Sequence, residues 1–492
     1  MKTCRPDRRP GRWAMSPPLA ALLLLGGCAG HPVRTPVTSL PPAFEASYPG
    51  IEGEQAPDRW WDLFGDPQLT HLIETALISA PDARRAVAVL AQAQAERRRA
   101  LSDYDPQGSL SASATRQHAT ISGLGAAGAG AGGALPTTIG GTTTTYNLGF
   151  SPSWELDLFG RRAAAATAAN ADLEAARFDH DAARQSLSAA VAANLFEARG
   201  LAVQRDQARE TSRIAHEFAA IGAQRAAAGI GSRADAAALA ADAASSDADV
   251  VSLDSALAVS RRSLLVLIGR GGDRLETLAI DARLGPPPRL PRTAPADLLA
   301  RRPDVRATEA RLRSAIGTLK LDRLALLPTI NLLPGASKTD IKGAAGYGTS
   351  IWSIAAGLTL PILDRRRLLA GIQVQDARVE QAVIAYEAAV QGAYGEAESR
   401  LTTLAADQTR LGQLAEAETQ ARAAFDAQSL GYRAGIVDLT TLLTSERTWR
   451  ASLNVLNALK ATALRDAVDT IKALGGGWTP HDDTRTVAEA RP

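Results

Sequence analysis

The sequence predicts an α+β membrane protein in which a small β-structure stands on a tube of very long helices, with the whole unit made twice. Three observations predict it. Tyr146, Leu148, Phe150, Trp154, Leu156 and Leu158 alternate with Asn147, Gly149, Ser151, Ser153, Glu155 and Asp157. That period of two gives a strand one apolar and one wet face. The chain then runs from Arg161 to Arg225 without proline, and only Gly200 and Gly222 interrupt the helix formers. At 1.5 Å per residue such a helix is about 100 Å long, more than a globular domain needs. Finally, P-D-A-R-R-A at Pro81 returns as P-D-V-R-A-T at Pro303, D-L-F-G-R-R at Asp157 as P-I-L-D-R-R at Pro361, and A-G-I at Ala228 as A-G-I at Ala434. The unit is far longer than solenoid repeats, so this is a duplication.

The N-terminus is a targeting segment. Lys2, Arg5, Arg8, Arg9 and Arg12 precede a short apolar run, Leu19 to Leu25, and then Gly26-Gly27-Cys28. The run is too short to span a bilayer, which takes about 20 residues, so residues 1–27 read as a cleaved signal. L-G-G-C at that place resembles the bacterial lipobox, in which the Cys becomes the acylated first residue. The alternative is an ordinary signal peptide with a chance Cys. Ala29, where an Asp would retain such a lipoprotein at the inner membrane, implies export to the outer membrane. Residues 1–27 carry five basic side chains and one acid, so the whole chain's +2 becomes −2 after cleavage. The basic balance belongs to the signal, and no nucleic-acid footprint remains. Cys4, Met1 and Met15 leave with it, so no disulfide is available.

The remaining elements follow in order. A proline-rich tether spans 28–65, including Trp60-Trp61-Asp62-Leu63-Phe64. The first repeat covers 66–270: a helix near 67–79, a second from Pro81 to about Asp103, a strand over Ser109–Gln117, a Gly/Ala/Thr loop at 123–141, the strand from Tyr146, and the long helix. Near Ala228–Gly231 that helix turns; Ser232 caps the next one, which runs to about Ile268 with Asp235 in its first turn. A linker at 271–294 holds three consecutive prolines. The second repeat, 295–474, places strands near Leu327–Ser337 and Ile351–Ile362. The tail, 475–492, is short and polar and is expected to be disordered.

Four alternating strands are too few to close a membrane barrel, which starts at about eight. The barrel must therefore be shared, and two, three or four copies all give an even number. The long helices need partners as well. Leu173, Leu187, Leu201 and Ala208 fall on a heptad frame, with Ala176, Ala183 and Ala190 offset by three, the pattern of a close coiled-coil-like seam. A soluble four-helix bundle would leave the strands without a home.

S-W-E-L-D-L-F-G-R at Ser153, L-L-A-R-R-P-D-V at Leu298 and Y-R-A-G-I-V-D-L-T-T-L-L at Tyr432, with the lipobox, resemble the TolC-like outer-membrane efflux factors, NodT-type lipoprotein branch. The resemblance covers nearly the whole mature chain. It implies a homotrimer with a twelve-stranded outer-membrane barrel continuous with a periplasmic helical barrel. It implies docking with a periplasmic adaptor (membrane fusion protein) and an inner-membrane resistance-nodulation-division pump, and a lipid anchor through Cys28. The implied role is an exit duct for drugs or other small toxic compounds. The alternatives are protein secretion and metal-ion efflux; the lack of Met and of an unmodified Cys in the mature chain offers few soft ligands.

No catalytic, cofactor-binding or metal-ligating set is expected. The six histidines show no metal spacing, and no nucleophile elbow or phosphate loop occurs. Asp179-His180-Asp181 reads as a solvated helix face, Asp304 as a favourable first-turn charge, and Glu155, Asp157, Arg161 and Arg162 as junction ion pairs. The candidate site is the periplasmic mouth, where the two long helices turn. Relatives carry Leu and Asp constriction rings in the helix after Y-R-x-G; the matching positions here are Thr440 and Thr444, so no carboxylate ring is expected. The nearby charges are Arg225, Arg233, Asp235, Arg433 and Asp438, which are expected to pair between neighbouring helices and hold the mouth shut.

Overall fold

Antiparallel pairing and two long helix–turn–helix arms organise the chain, and each is present twice. The computed structural model describes residues 34–46, 58–124, 136–290, 294–343 and 346–476. The signal segment with Cys28, most of the tether, the centre of the Gly/Ala loop and the tail beyond Gly476 lie outside the described residues. The chain divides after Thr35, and the unit from Pro36 onward carries every element below.

Helix α1 (Pro67–Ser79) starts with proline at its first position, and the Asp66 side chain accepts from the Gln68 and Leu69 amides. Helix α2 (Pro81–Ser102) leads into strands β1 (Gln107–Leu124) and β2 (Pro136–Leu156). Then come α3 (Arg161–Ala227) and α4 (Arg233–Leu267). The second pass repeats this as α5 (Asp297–Arg301), α6 (Pro303–Leu324), β3 (Thr329–Lys342), β4 (Tyr347–Thr359), α7 (Arg365–Arg433) and α8 (Leu439–Ala473). The lengths match: 67 against 69 residues for α3 and α7, 35 each for α4 and α8, 22 each for α2 and α6. The turns match as well. Gly229 and Gly435 both have φ of 74°, and each ends its long helix in the left-handed conformation that glycine takes without steric cost.

The strands form one antiparallel sheet in the order β1-β2-β3-β4. Their extent corrects the sequence reading. Ala119 pairs with Gly141 and Ile121 with Ile139, so both strands run into the stretch read as loop. Alternation fades there because Gly and Thr carry little hydropathy contrast, whereas a ladder needs only backbone groups. β3 begins at Thr329 rather than Leu327 and continues to Lys342, and β4 ends at Thr359, leaving Leu360 and Ile362 outside it.

The core surrounds α3, which packs against α1, α2, α4, α6 and α8. Val191, Leu195, Ala198 and Ala202 are fully buried and fall at helical spacing. Leu69, Ile73, Leu264, Ile268, Leu404 and Val468 close around the same region. Of the heptad frame only Leu187 is buried; Leu173, Leu201 and Ala208 are half-buried within one chain. Contacts inside the chain thus use a different stripe of α3 from the heptad frame.

Candidate channel wall and periplasmic mouth

Register sorts the sheet into two unlike faces. Leu110 pairs with Phe150, Phe150 with Ala336 and Ala336 with Trp352; Leu156, Ile330 and Leu358 form a parallel row. The opposite face aligns Ser113, Asn147, Thr339 and Thr349. Side chains alternate across a strand, so one face is apolar and the other lined with neutral hydroxyls and amides. Leu110, Phe150, Ile354 and Leu358 are half exposed or more in the single chain. An apolar outside and a polar inside is the division a water-filled membrane barrel requires. Within one chain β1 and β4 form the edges of the sheet, and edges in lipid demand a partner.

At the junction, Asp157 receives the Arg161 and Arg162 amides at 2.7 and 3.1 Å, capping the first turn of α3. Arg161 lies 3.5 Å from Glu155, and Arg162 3.4 Å from Asp105. Of the expected junction pairs, Glu155–Arg161 is present; Asp157 serves as a helix cap instead, and Arg162 turns to Asp105. Asp304 does more than face a helix dipole. Arg302 binds it through Nε and Nη2 at 3.0 and 2.6 Å, and also reaches Glu396 at 2.8 Å and the Ala473 carbonyl at 3.0 Å. Burial alone would raise the Asp304 carboxyl, but the Arg302 bonds outweigh it and hold it low. Asp179 is exposed, as expected of a solvated helix face, and also pairs with Arg311 of α6; His180 is half-buried beside Asp181. The Arg311 partner was not legible, because nothing local in the sequence marks the approach of α6.

At the mouth the sequence-derived residues separate into three groups. Arg433 Nη2 lies 2.8 Å from Glu217 Oε1 on α3, and its guanidinium sits 5.8 Å from the Phe218 ring centre. Arg225 reciprocates, 5.2 Å from the Tyr432 ring centre. Phe218 and Tyr432 meet edge-to-face at 5.9 Å, inside a small core with Leu239, Phe425, Leu442 and Trp449. So α3 and α7 exchange cations over each other's aromatics, contacts of about 0.5–1 kcal/mol each at exposed sites. Asp438 does not pair with Arg433; it caps α8, accepting from the Thr441 amide at 2.8 Å and hydroxyl at 3.0 Å. These bonds hold its carboxyl below the ordinary range. Thr440 and Thr444 are exposed, and the Thr444 hydroxyl donates to the Thr440 carbonyl at 2.7 Å. Arg233 and Asp235 are exposed at the start of α4. Glu217, Phe218 and Tyr432 were missed as mouth residues; the one usable signal was their position within about three turns of A-G-I.

A family model described as outer membrane efflux protein matches residues 72–270 and 294–476. The chain belongs to this family. It is similar to the pyoverdine export outer membrane protein OpmQ of Pseudomonas putida, at 29% identity over 450 residues, covering 90% of this chain and 94% of OpmQ. It is 28% identical to the toluene efflux pump outer membrane protein TtgC of Pseudomonas putida, over 92% of this chain and 94% of TtgC. With the cation efflux system protein CusC of Escherichia coli the identity is 25%, over 94% of this chain and 98% of CusC. Among solved structures, the outer-membrane channel OprN has a TM-score of 0.77 at 27% identity, covering 91% of this chain and 99% of OprN. The open-state MtrE channel of Neisseria gonorrhoeae has 0.76 at 25%, covering 90% and 97%.

Membership supplies what one chain lacks. Outer membrane efflux proteins of this TolC-like type are trimers, so three four-stranded sheets close one barrel. The barrel spans the outer membrane, the helices extend into the periplasm, and the channel works with an adaptor and an inner-membrane pump. In this efflux protein the apolar face therefore meets lipid and the Ser/Thr/Asn face meets the lumen. The mouth formed by the α3–α4 and α7–α8 turns lies at the periplasmic end, about 100 Å of helix from the sheet.

Proposed function

We propose that this efflux protein is an acylated, passive exit duct for small organic compounds, closed at rest by contacts between α3 and α7. The observation that carries the cargo reading is the lumen face of the sheet. Its rows of Ser113, Asn147, Thr339 and Thr349, continued by Ser111, Gly149 and Ser337, present neutral hydroxyls and amides; among the described residues the one acid of this face within the strands, Glu155 in register with Asn331, sits at the periplasmic end 3.5 Å from Arg161. Rings of charge select ions, whereas a hydroxylated wall passes solutes without regard to their sign. No chemical step is assigned to any residue; the pump supplies the energy and the duct conducts. OpmQ, TtgC and CusC are named for pyoverdine, toluene and cations respectively, so cargo within the family is set by the partner pump, and organic cargo is the reading this wall supports.

Cys28 is the anchor on this reading. One acyl chain binds a membrane only marginally, but several chains with a barrel hold firmly. The mouth is held by Arg225 and Arg433 through their aromatic and Glu217 partners. Asp438 shapes the turn, Thr440 and Thr444 narrow the opening sterically, and Arg233 and Asp235 flank it. The deciding experiment expresses the chain with its own adaptor and pump in a host lacking its outer-membrane channels. Restored resistance to dyes and hydrophobic antibiotics, with no change in copper or silver tolerance, is the expected result. Restored metal tolerance alone would replace the organic cargo with cations. Intact mass of the mature N-terminal peptide tests the anchor; an unmodified Cys28 would remove it.

A further inference from the structure

The membrane side of the sheet carries charge at heights where the lumen side carries none. On the membrane side the apolar rows run from Leu156, Ile330 and Leu358 up to Tyr146. Ten residues at about 3.3 Å each give roughly 33 Å along the strand, or about 25 Å of height at the usual barrel tilt, which is the height of a lipid-facing band. One row beyond Tyr146, Arg116 stands in register with Thr144, and Thr144 with Lys342. Lys338 shares the row of Leu148. Its ammonium lies 3.9 Å from Asp340, which occupies the Tyr146 row, so the side chain leans toward the rim. A lysine stem lies along apolar surface while its head reaches the interface. Arg116, Lys338 and Lys342 are all exposed.

The lumen rows at the same heights hold Thr115, Thr145, Asn147, Thr339 and Thr349. Water in the lumen would solvate charge at least cost, yet the cations stand on the side facing lipid, at the level of the headgroups. The rim that holds them is the outward one, because the other end of every strand leads to the periplasmic helices. Three cations against one carboxylate per chain leave a net positive band around the trimer, complementary to anionic headgroups.

We propose that Arg116, Lys338 and Lys342 bind the phosphate groups of lipids in the outward-facing leaflet, so that the channel carries a collar of phosphorylated lipid. The test uses the full-length trimer in mild detergent and native mass spectrometry. The probes are a bis-phosphorylated diglucosamine glycolipid and the same lipid without its phosphates. The wild type is expected to retain the phosphorylated lipid and to bind the dephosphorylated form roughly tenfold more weakly. Arg116→Gln with Lys338→Gln and Lys342→Gln is expected to lose that difference while remaining trimeric and conducting as the wild type does. Equal retention of both lipids by the wild type would overturn the proposal and leave the cations as solvated rim residues. So would undiminished preference in the triple variant. The two-lipid comparison on the wild type decides the matter even where the variant fails to assemble.

Discussion

Arg433, the last residue of α7, joins Glu217 on α3, about three turns before the end of that helix, with Nη2 and Oε1 2.8 Å apart. The pair is roughly half exposed, so each copy contributes only about 0–1 kcal/mol. Three copies around one mouth act together on a single equilibrium. We expect Glu217→Gln or Arg433→Gln to raise resting conductance in planar bilayers several-fold, with the trimer intact. Asp438→Ala acts differently: it removes a helix cap, lowers the stability of α8, and leaves the α3–α7 pair in place. Unchanged conductance in both pair variants would leave steric closure at Thr440 and Thr444 as the account of the gate.

A second relationship concerns stability against pH. Asp407 on α7 is 2% exposed and its Oδ2 has no partner among the described residues; Arg410 approaches the other oxygen at 3.3 Å. Asp466 on α8 faces it, with Arg400 at 3.7 Å. Burial first, and then the Asp407 carboxylate, push Asp466 above its ordinary value, against the pull of Arg400 and Arg465. A carboxyl raised in the folded state favours folding most below its unfolded value near 3.8, and that contribution is lost as pH rises through the folded value. Asp466→Asn supplies an uncharged N–H donor at every pH. It should stabilise the trimer by roughly 1 kcal/mol at pH 7 and by little at pH 4. Thermal midpoints at the two pH values check it; an equal shift at both would disprove the coupling.

Arg302 carries the opposite sign. Its partner Asp304 is held low, so the pair stabilises above the unfolded value of 3.8 and fades as pH falls through the folded value. Arg302→Gln should cost roughly 1–3 kcal/mol at pH 7, because it also strips a donor from the Ala473 carbonyl. At pH 3 the loss should be smaller. Denaturation midpoints of the variant measured across this range give the slope.

Gly317 on α6 faces α3 so closely that a Cβ there would lie 2.8 Å from the Ala168 amide nitrogen and 3.0 Å from its Cα. Backbone cannot turn aside as a side chain can. Gly317→Ala should therefore destabilise by about 1–3 kcal/mol, outweighing the gain in helix propensity, and should lower trimer yield on mild extraction. A neutral result would mean that α6 slides on α3 without penalty.

Much of this molecule was written locally. The long helices follow from proline-free, alanine-rich sequence, and their ends from A-G-I at Ala228 and Ala434, because a helix terminates where a residue takes positive φ. Ser232 and Asp438 cap their helices through bonds that span two or three residues. The strand faces followed from alternation wherever side chains differed in hydropathy, as from Tyr146 to Leu156. The duplication was visible because each half reuses the same punctuation.

What only the tertiary structure decided is who meets whom across the long helices. Glu217 and Arg433 are far apart in the chain, as are Asp407 and Asp466, and no spacing rule connects positions on different rods. A shift of one helical turn between α3 and α7 would leave every local pattern unchanged and alter every partner. The same holds for the sheet, where the register alone places Arg116 beside Thr144 and Lys342 on the membrane side. Sequence by itself fixes elements, faces and ends, since these depend on neighbours within a few residues. Partners depend on the relative height of separate elements, which is set by the packing of Phe218, Tyr432, Leu195 and Gly317 between them.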